Sequence, residues 1–111
     1  MSGLGFRVLL LSAALGAVFA TGAQARDYEA GKQKAEGCKM CHGPEGNAPL
    51  MPEAPRLAGQ YYDYLVHSLE AYRKGSRDNP VMSMQAKPLT DTEIRDLAWY
   101  FSKQQGLTVK Y

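Results

Sequence analysis

The feature that most limits what this chain can fold into is the stretch EGCKMCHGPEGN, residues 36–47. It holds both cysteines of the 111-residue chain, Cys38 and Cys41, and one of its two histidines, His42. A bridge between Cys38 and Cys41 closes too short a loop to remove much unfolded-chain entropy, so it is poorly placed as a staple. Three chemical roles remain. A redox-active dithiol of the thioredoxin type belongs to a βαβ context, and no strand-like alternation lies nearby. A zinc site takes four ligands, and outside the motif only His67 is a strong candidate, with no second C-x-x-C. The third role is covalent attachment of a c-type haem, for which C-x-x-C-H is the signature. Positions three apart on a helix share a face. One turn can therefore present both sulfurs to the two vinyl groups on one porphyrin edge. His42, the next residue, is rotated further round, where it can reach the iron.

The N-terminus supports an exported protein. MSGLGFR carries one positive charge, at Arg7. An apolar run over 8–20 follows, and then TGAQA, with Ala23 and Ala25 in an A-x-A arrangement. These are the n-region, h-region and cleavage site of a secretory signal peptide. The run falls short of the roughly 20 apolar residues that a spanning helix needs. The expected organisation is a cleaved leader, 1–25, and one periplasmic domain, 26–111, with no membrane span after cleavage. The chain carries 13 Lys and Arg against 11 Asp and Glu, interspersed and without a basic run. A nucleic-acid partner would need a clustered basic stripe, so that class is set aside.

A domain this small builds only a few kcal/mol of core stability from its own side chains and commonly adds a disulfide, metal or cofactor. If the cofactor is a haem, its second axial ligand comes next. Met with His is the pairing of electron-transfer haem proteins. Met40 lies inside the C-x-x-C, and Met51 is close to the proximal loop. Met82 and Met84, in NPVMSMQAKPLTD, lie far downstream on a segment that reads as irregular loop. His67 is the alternative ligand, but it falls one step off the apolar stripe of its helix.

The pattern predicts an all-α fold of three main helices and long loops. The first helix is expected over 28–41, with small residues Ala30, Gly31 and Ala35 allowing close approach. The second is expected over 61–74, with Tyr62, Leu65, Leu69 and Tyr72 on one stripe and Gly75 as C-cap. The third starts at Thr90, with Glu93 completing a capping box. It buries Ile94, Leu97, Ala98 and Phe101 and ends at Gly106. The Gly- and Pro-rich segment HGPEGNAPLMPEAPRLAGQ reads as an irregular wrap. Loops this long suit a flat apolar cofactor lying inside them.

In order, GCKMCHGPEGN, PRLAGQYYDYL, YRKGSRDNPVM and PLTDTEIRDLAWYFS resemble the small bacterial class I cytochromes c. The likeness is to one half of the periplasmic two-haem cytochromes, or to their single-haem relatives. It covers nearly all of the chain beyond the leader. The resemblance implies a class I cytochrome c fold around one covalent haem c and its iron. Cys38 and Cys41 would carry the thioethers and His42 would be the proximal ligand. The family's distal methionine stands seven residues before the Leu of PLTD, here Leu89, which gives Met82, with Met84 as the alternative. Pro55 matches the proline whose carbonyl accepts the hydrogen bond of the ligand histidine. Arg56 beside it is a candidate partner for a haem propionate. Gly31 and Tyr100 match the residues where the first and last helices cross, and Trp99 beside them reads as a core or half-exposed aromatic.

The function this implies is one-electron transfer between redox protein partners, without enzymatic chemistry, by a monomer or weak dimer. Two alternatives stand beside the free carrier. One is a bound cytochrome subunit of a dehydrogenase complex, for which Tyr61 and Tyr62 or the tail LTVKY offer docking groups. The other is a five-coordinate haem protein that binds a gas.

Overall fold

In the computed structural model, residues 16–17 and 25–106 are described. The expected leader and the LTVKY tail lie almost wholly outside them. The first helical run starts at Asp27, whose side chain accepts from the Ala30 N–H and so satisfies one of the free donors of the first turn. Helix α1 is Tyr28–Lys34. A 3₁₀ turn, Ala35–Cys38, continues it into the short helix α2, Lys39–His42. The expected helix 28–41 is thus present, tightened in its middle.

Helix α3, Tyr62–Lys74, ends at Gly75 in the left-handed conformation, as its sequence implies. Leu65 is buried, and Tyr62, Val66 and Leu69 pack against the core. Helix α5, Asp91–Ser102, opens with the expected capping box between Thr90 and Glu93. It stops at Ser102, four residues before Gly106. Gly106 instead lies where a Cβ would stand 2.7 Å from that of Ala58.

The segment before α5 is a correction. It is not irregular: Pro80–Ala86 form helix α4, so Met82 and Met84 stand on a helix. Asn79 caps it through a bond from the Met82 N–H, and Pro80 occupies the first turn. Proline there costs nothing, because the first-turn N–H has no helical partner. Read as a breaker, the Asn-Pro pair hides a helix start.

Helix α5 is the centre of the domain, packed by α1 and by α3, while α4 packs on α3. It is buried on two sides: Tyr100 and Asp96 join Ile94, Leu97, Ala98 and Phe101. Asp96 accepts from the backbone N–H of Asp27 at 2.8 Å, which ties the start of α1 to α5. The Tyr28 and Tyr100 rings meet at 5.3 Å. The core made by the protein alone is thin. Among the described residues, Ala35, Ala58, Ala86 and Ala98 are four of the nine buried apolar residues, and Ile94 is the largest fully buried side chain. Meanwhile Leu50, Met51, Tyr61, Tyr64 and Val81 are exposed.

Candidate functional site

The cysteines and His42 lie on the end of the first helical run. Cys38 closes the 3₁₀ turn, and Cys41 and His42 belong to α2. Both thiols are free and half-buried. Cys38 packs against the core. Burial, then the neighbouring Cys41, push its thiol pKa up, with Lys34 opposing. A dithiol built for exchange needs the reverse, a thiolate stabilised near neutral pH. Among the described residues no three His, Cys, Asp or Glu side chains converge on a metal-sized point, so the zinc reading lacks a donor set.

His42 is buried, and its Nδ1 lies 2.7 Å from the Pro55 carbonyl oxygen. A carbonyl only accepts, so Nδ1 carries the proton and donates. That leaves the Nε2 lone pair available to a metal, on a ring held in one orientation. The loop between the two residues brings Pro55 into place. Gly43 turns the chain at φ 79°, where a Cβ would stand 1.9 Å from the Ala48 carbonyl oxygen, so no other residue fits. The Leu50 N–H then donates to the Cys41 carbonyl at 2.9 Å, and the Leu57 N–H to that of Gly46 at 2.8 Å. The irregular wrap therefore has fixed hydrogen bonds that fold it back over the motif. Arg56 is exposed beside Pro55.

The two candidate methionines differ. Helical positions two apart point to nearly opposite sides. Met82 is half-buried, whereas Met84 is 69% exposed. The Met82 backbone is also the one pinned by the cap, 3.0 Å from Asn79 Oδ1. His67 is exposed on α3. Trp99 is half-buried in an aromatic and cationic stack. Its ring meets Tyr62 edge-on at 6.2 Å, with Arg26 5.1 Å and Lys103 4.1 Å from it. Sequence reasoning missed Asn79, which the Asn-Pro pair could have disclosed. It also missed Arg73, in the last turn of α3, for which only the packing of α3 against α5 provides a signal.

The model of the cytochrome c family matches residues 28–105. The chain belongs to the cytochrome c family. It is 46% identical to cytochrome c4 of Thiocapsa roseopersicina over 73% of this chain and 42% of that protein. It is 40% identical to cytochrome c-554(548) of Halomonas halodenitrificans over 73% of this chain and all of that protein. The thiosulfate dehydrogenase electron acceptor of Thiomonas intermedia is 39% identical over 87% of this chain and 44% of that protein. The crystal structure of cytochrome c4 from Pseudomonas stutzeri superposes with a TM-score of 0.68 at 38% identity, covering 75% of this chain and 48% of that one. The chain thus spans about half the length of the cytochromes c4 it matches, as the likeness to one half of a two-haem protein implies. The all-α class I cytochrome c fold is the one expected from sequence, with α4 added to its three main helices.

The family's cofactor is a covalent haem c with its iron, and the residues present fit that group. Two free thiols stand three apart at the end of a helical run, next to a buried histidine with Nε2 free. A thin core beside exposed Leu50, Met51, Tyr64 and Val81 fits a domain completed by a flat apolar group.

Proposed function

We propose that this chain is a periplasmic one-electron carrier, with Cys38 and Cys41 holding the haem, His42 as proximal ligand and Met82 as distal ligand. The observation that carries the reading is the His42–Pro55 hydrogen bond of 2.7 Å. It places a proton on Nδ1 and holds the ring in one orientation, leaving Nε2 as the nitrogen a metal would take. The bound iron supplies a ferrous–ferric couple, and a thioether ligand raises its potential. Met82, half-buried on α4, would supply a thioether to the iron opposite His42 and so leave small molecules no open site, which is why a carrier is favoured over a gas-binding protein. Cys38 packs against the same buried cluster as Leu57, Val66 and Leu69, which supports an apolar setting for the attached haem. Arg56, exposed beside Pro55, is the group proposed to meet a propionate.

Partners are met over the small interfaces of transient redox encounters. The Thiomonas intermedia relative is named as the electron acceptor of a dehydrogenase, which supports a dehydrogenase as donor here. The chain then acts either as a free carrier or as its bound subunit. Among the described residues no helix is long and apolar enough to cross a membrane.

The test is the absorption spectrum of the ferric holoprotein. The weak long-wavelength band of methionine sulfur on ferric haem is expected in the native protein and in Met84→Ala, and is lost in Met82→Ala. A native protein without that band defeats the Met82 assignment and brings His67 or an open site forward. Protein that carries no covalent haem defeats the whole reading.

A further inference from the structure

Met82 lies on a segment, 75–90, that leaves α3 at Gly75 and enters α5 at Thr90. One side chain grips the far end of that segment from its start. Arg73, in the last turn of α3, donates through Nη1 to the Leu89 carbonyl oxygen at 3.0 Å and through Nη2 to Asp91 Oδ1 at 2.6 Å. Its side chain is 29% exposed, against 66% for Asp91. The guanidinium therefore closes the base of the loop, joining the place where the chain departs to the place where it returns. A second arginine braces the departing segment. The Arg77 N–H donates to the Ala71 carbonyl at 3.2 Å, its Nη1 reaches Ser68 Oγ at 3.3 Å, and its guanidinium lies 4.7 Å from the Tyr72 ring centroid.

We propose that Arg73 is the positioning residue that keeps the Met82 segment closed, a role that rests on Met82 being the distal ligand. Helix α4 has seven residues, too few to hold itself together without its surroundings. With the base open, the segment keeps the α3–α4 packing, the buried Ala86, the contact of Leu89 with the core and the entry brace, but among the described residues no side chain joins its two ends, and it opens locally before the domain unfolds. Two charge-assisted bonds from one planar group suit this task better than one bond from a lysine could.

The experiment titrates ferric holoprotein with imidazole, which enters the iron only when the methionine leaves. Arg73→Ala, which removes both bonds, is expected to raise the apparent imidazole affinity at least roughly tenfold, the scale that one hydrogen bond from a charged group already sets. Asp91→Asn, which keeps the Leu89 bond, and Arg73→Lys should each give a smaller rise. In a Met82→Ala background, with no methionine to displace, Arg73→Ala should leave imidazole affinity unchanged. A merely structural role would alter both backgrounds alike, and that result overturns the proposal. So does an unchanged affinity in Arg73→Ala while the native methionine band is present, which leaves the proposed function standing. Absence of that band in the native protein removes both. If Arg73→Ala does not fold, Asp91→Asn and Arg73→Lys decide the matter by the same comparison.

Discussion

Gly31 of α1 lies directly against the backbone of Asp96 of α5. A Cβ at position 31 would stand 2.1 Å from the Asp96 carbonyl oxygen and 3.0 Å from the Tyr100 Cβ. The obstructing atoms are mostly backbone, so the helices must separate to admit a methyl group. Overpacking of this kind costs about 3 kcal/mol at the upper end of its usual range, and the better helix propensity of alanine returns about 1 kcal/mol. Gly31→Ala should therefore destabilise the holoprotein by about 2 kcal/mol, a fall in Tm of roughly 10 °C for a domain of this size. Gly37→Ala is the control: nothing lies within 4 Å of its added Cβ. Its Tm should hold or rise slightly. Equal losses in the two variants would show that the α1–α5 crossing is not the tight contact.

The two cysteines should be separable chemically. Cys38→Ala and Cys41→Ala are each expected to keep haem covalently attached through the remaining sulfur, with one vinyl group left intact. That vinyl extends the conjugation of the ring, so the reduced pyridine complex of each single variant should absorb at longer wavelength than the native one. The double variant should lose its haem when denatured. Covalent haem persisting in the double variant would place the attachment elsewhere.

The legible parts of the sequence were those with local causes. The Cys38, Cys41 and His42 spacing, the Thr90–Glu93 box, the Gly75 cap and the apolar stripe of α5 all depend on residues within a few positions of each other. The Pro55 role came from family resemblance, because a hydrogen bond across thirteen residues leaves no periodic trace. Helix α4 was hidden because Pro80 both breaks and begins helices, and only the preceding Asn79 tells which. Burial of Tyr100 and Asp96 was not readable from one stripe, since α5 is covered from two directions. Arg73 looks like any basic residue in a last turn until Leu89 and Asp91 are placed beside it.

Asn79 offers a graded test of α4. Its side chain accepts from the Met82 N–H at 3.0 Å, so the cap acts on the backbone of the proposed ligand itself. Replacing such a cap by alanine costs about 1 kcal/mol, and by glycine only a few tenths. Asn79→Ala should therefore weaken the methionine band on warming several degrees before the native protein does, with Asn79→Gly close to native. A band that survives equally in all three would mean that the cap does not hold α4.

Acid sensitivity should trace in part to Glu93. Its pKa is lowered, first by the hydrogen bond from Lys34, 2.9 Å away, and next by the backbone N–H of Thr90. The unfolded chain then binds a proton more readily than the folded one, so stability rises with pH across this titration. The contribution is complete above the unfolded value near 4.5 and fades as pH falls through the lower folded value. Glu93→Gln can still close the capping box but removes the charge. Denaturation midpoints of native and Glu93→Gln holoprotein should differ most near neutrality and converge as the pH drops well below 4.5. Coinciding midpoints near neutrality would show that the Lys34–Glu93 charge contact contributes nothing, and that the capping geometry, which glutamine keeps, accounts for the role of Glu93.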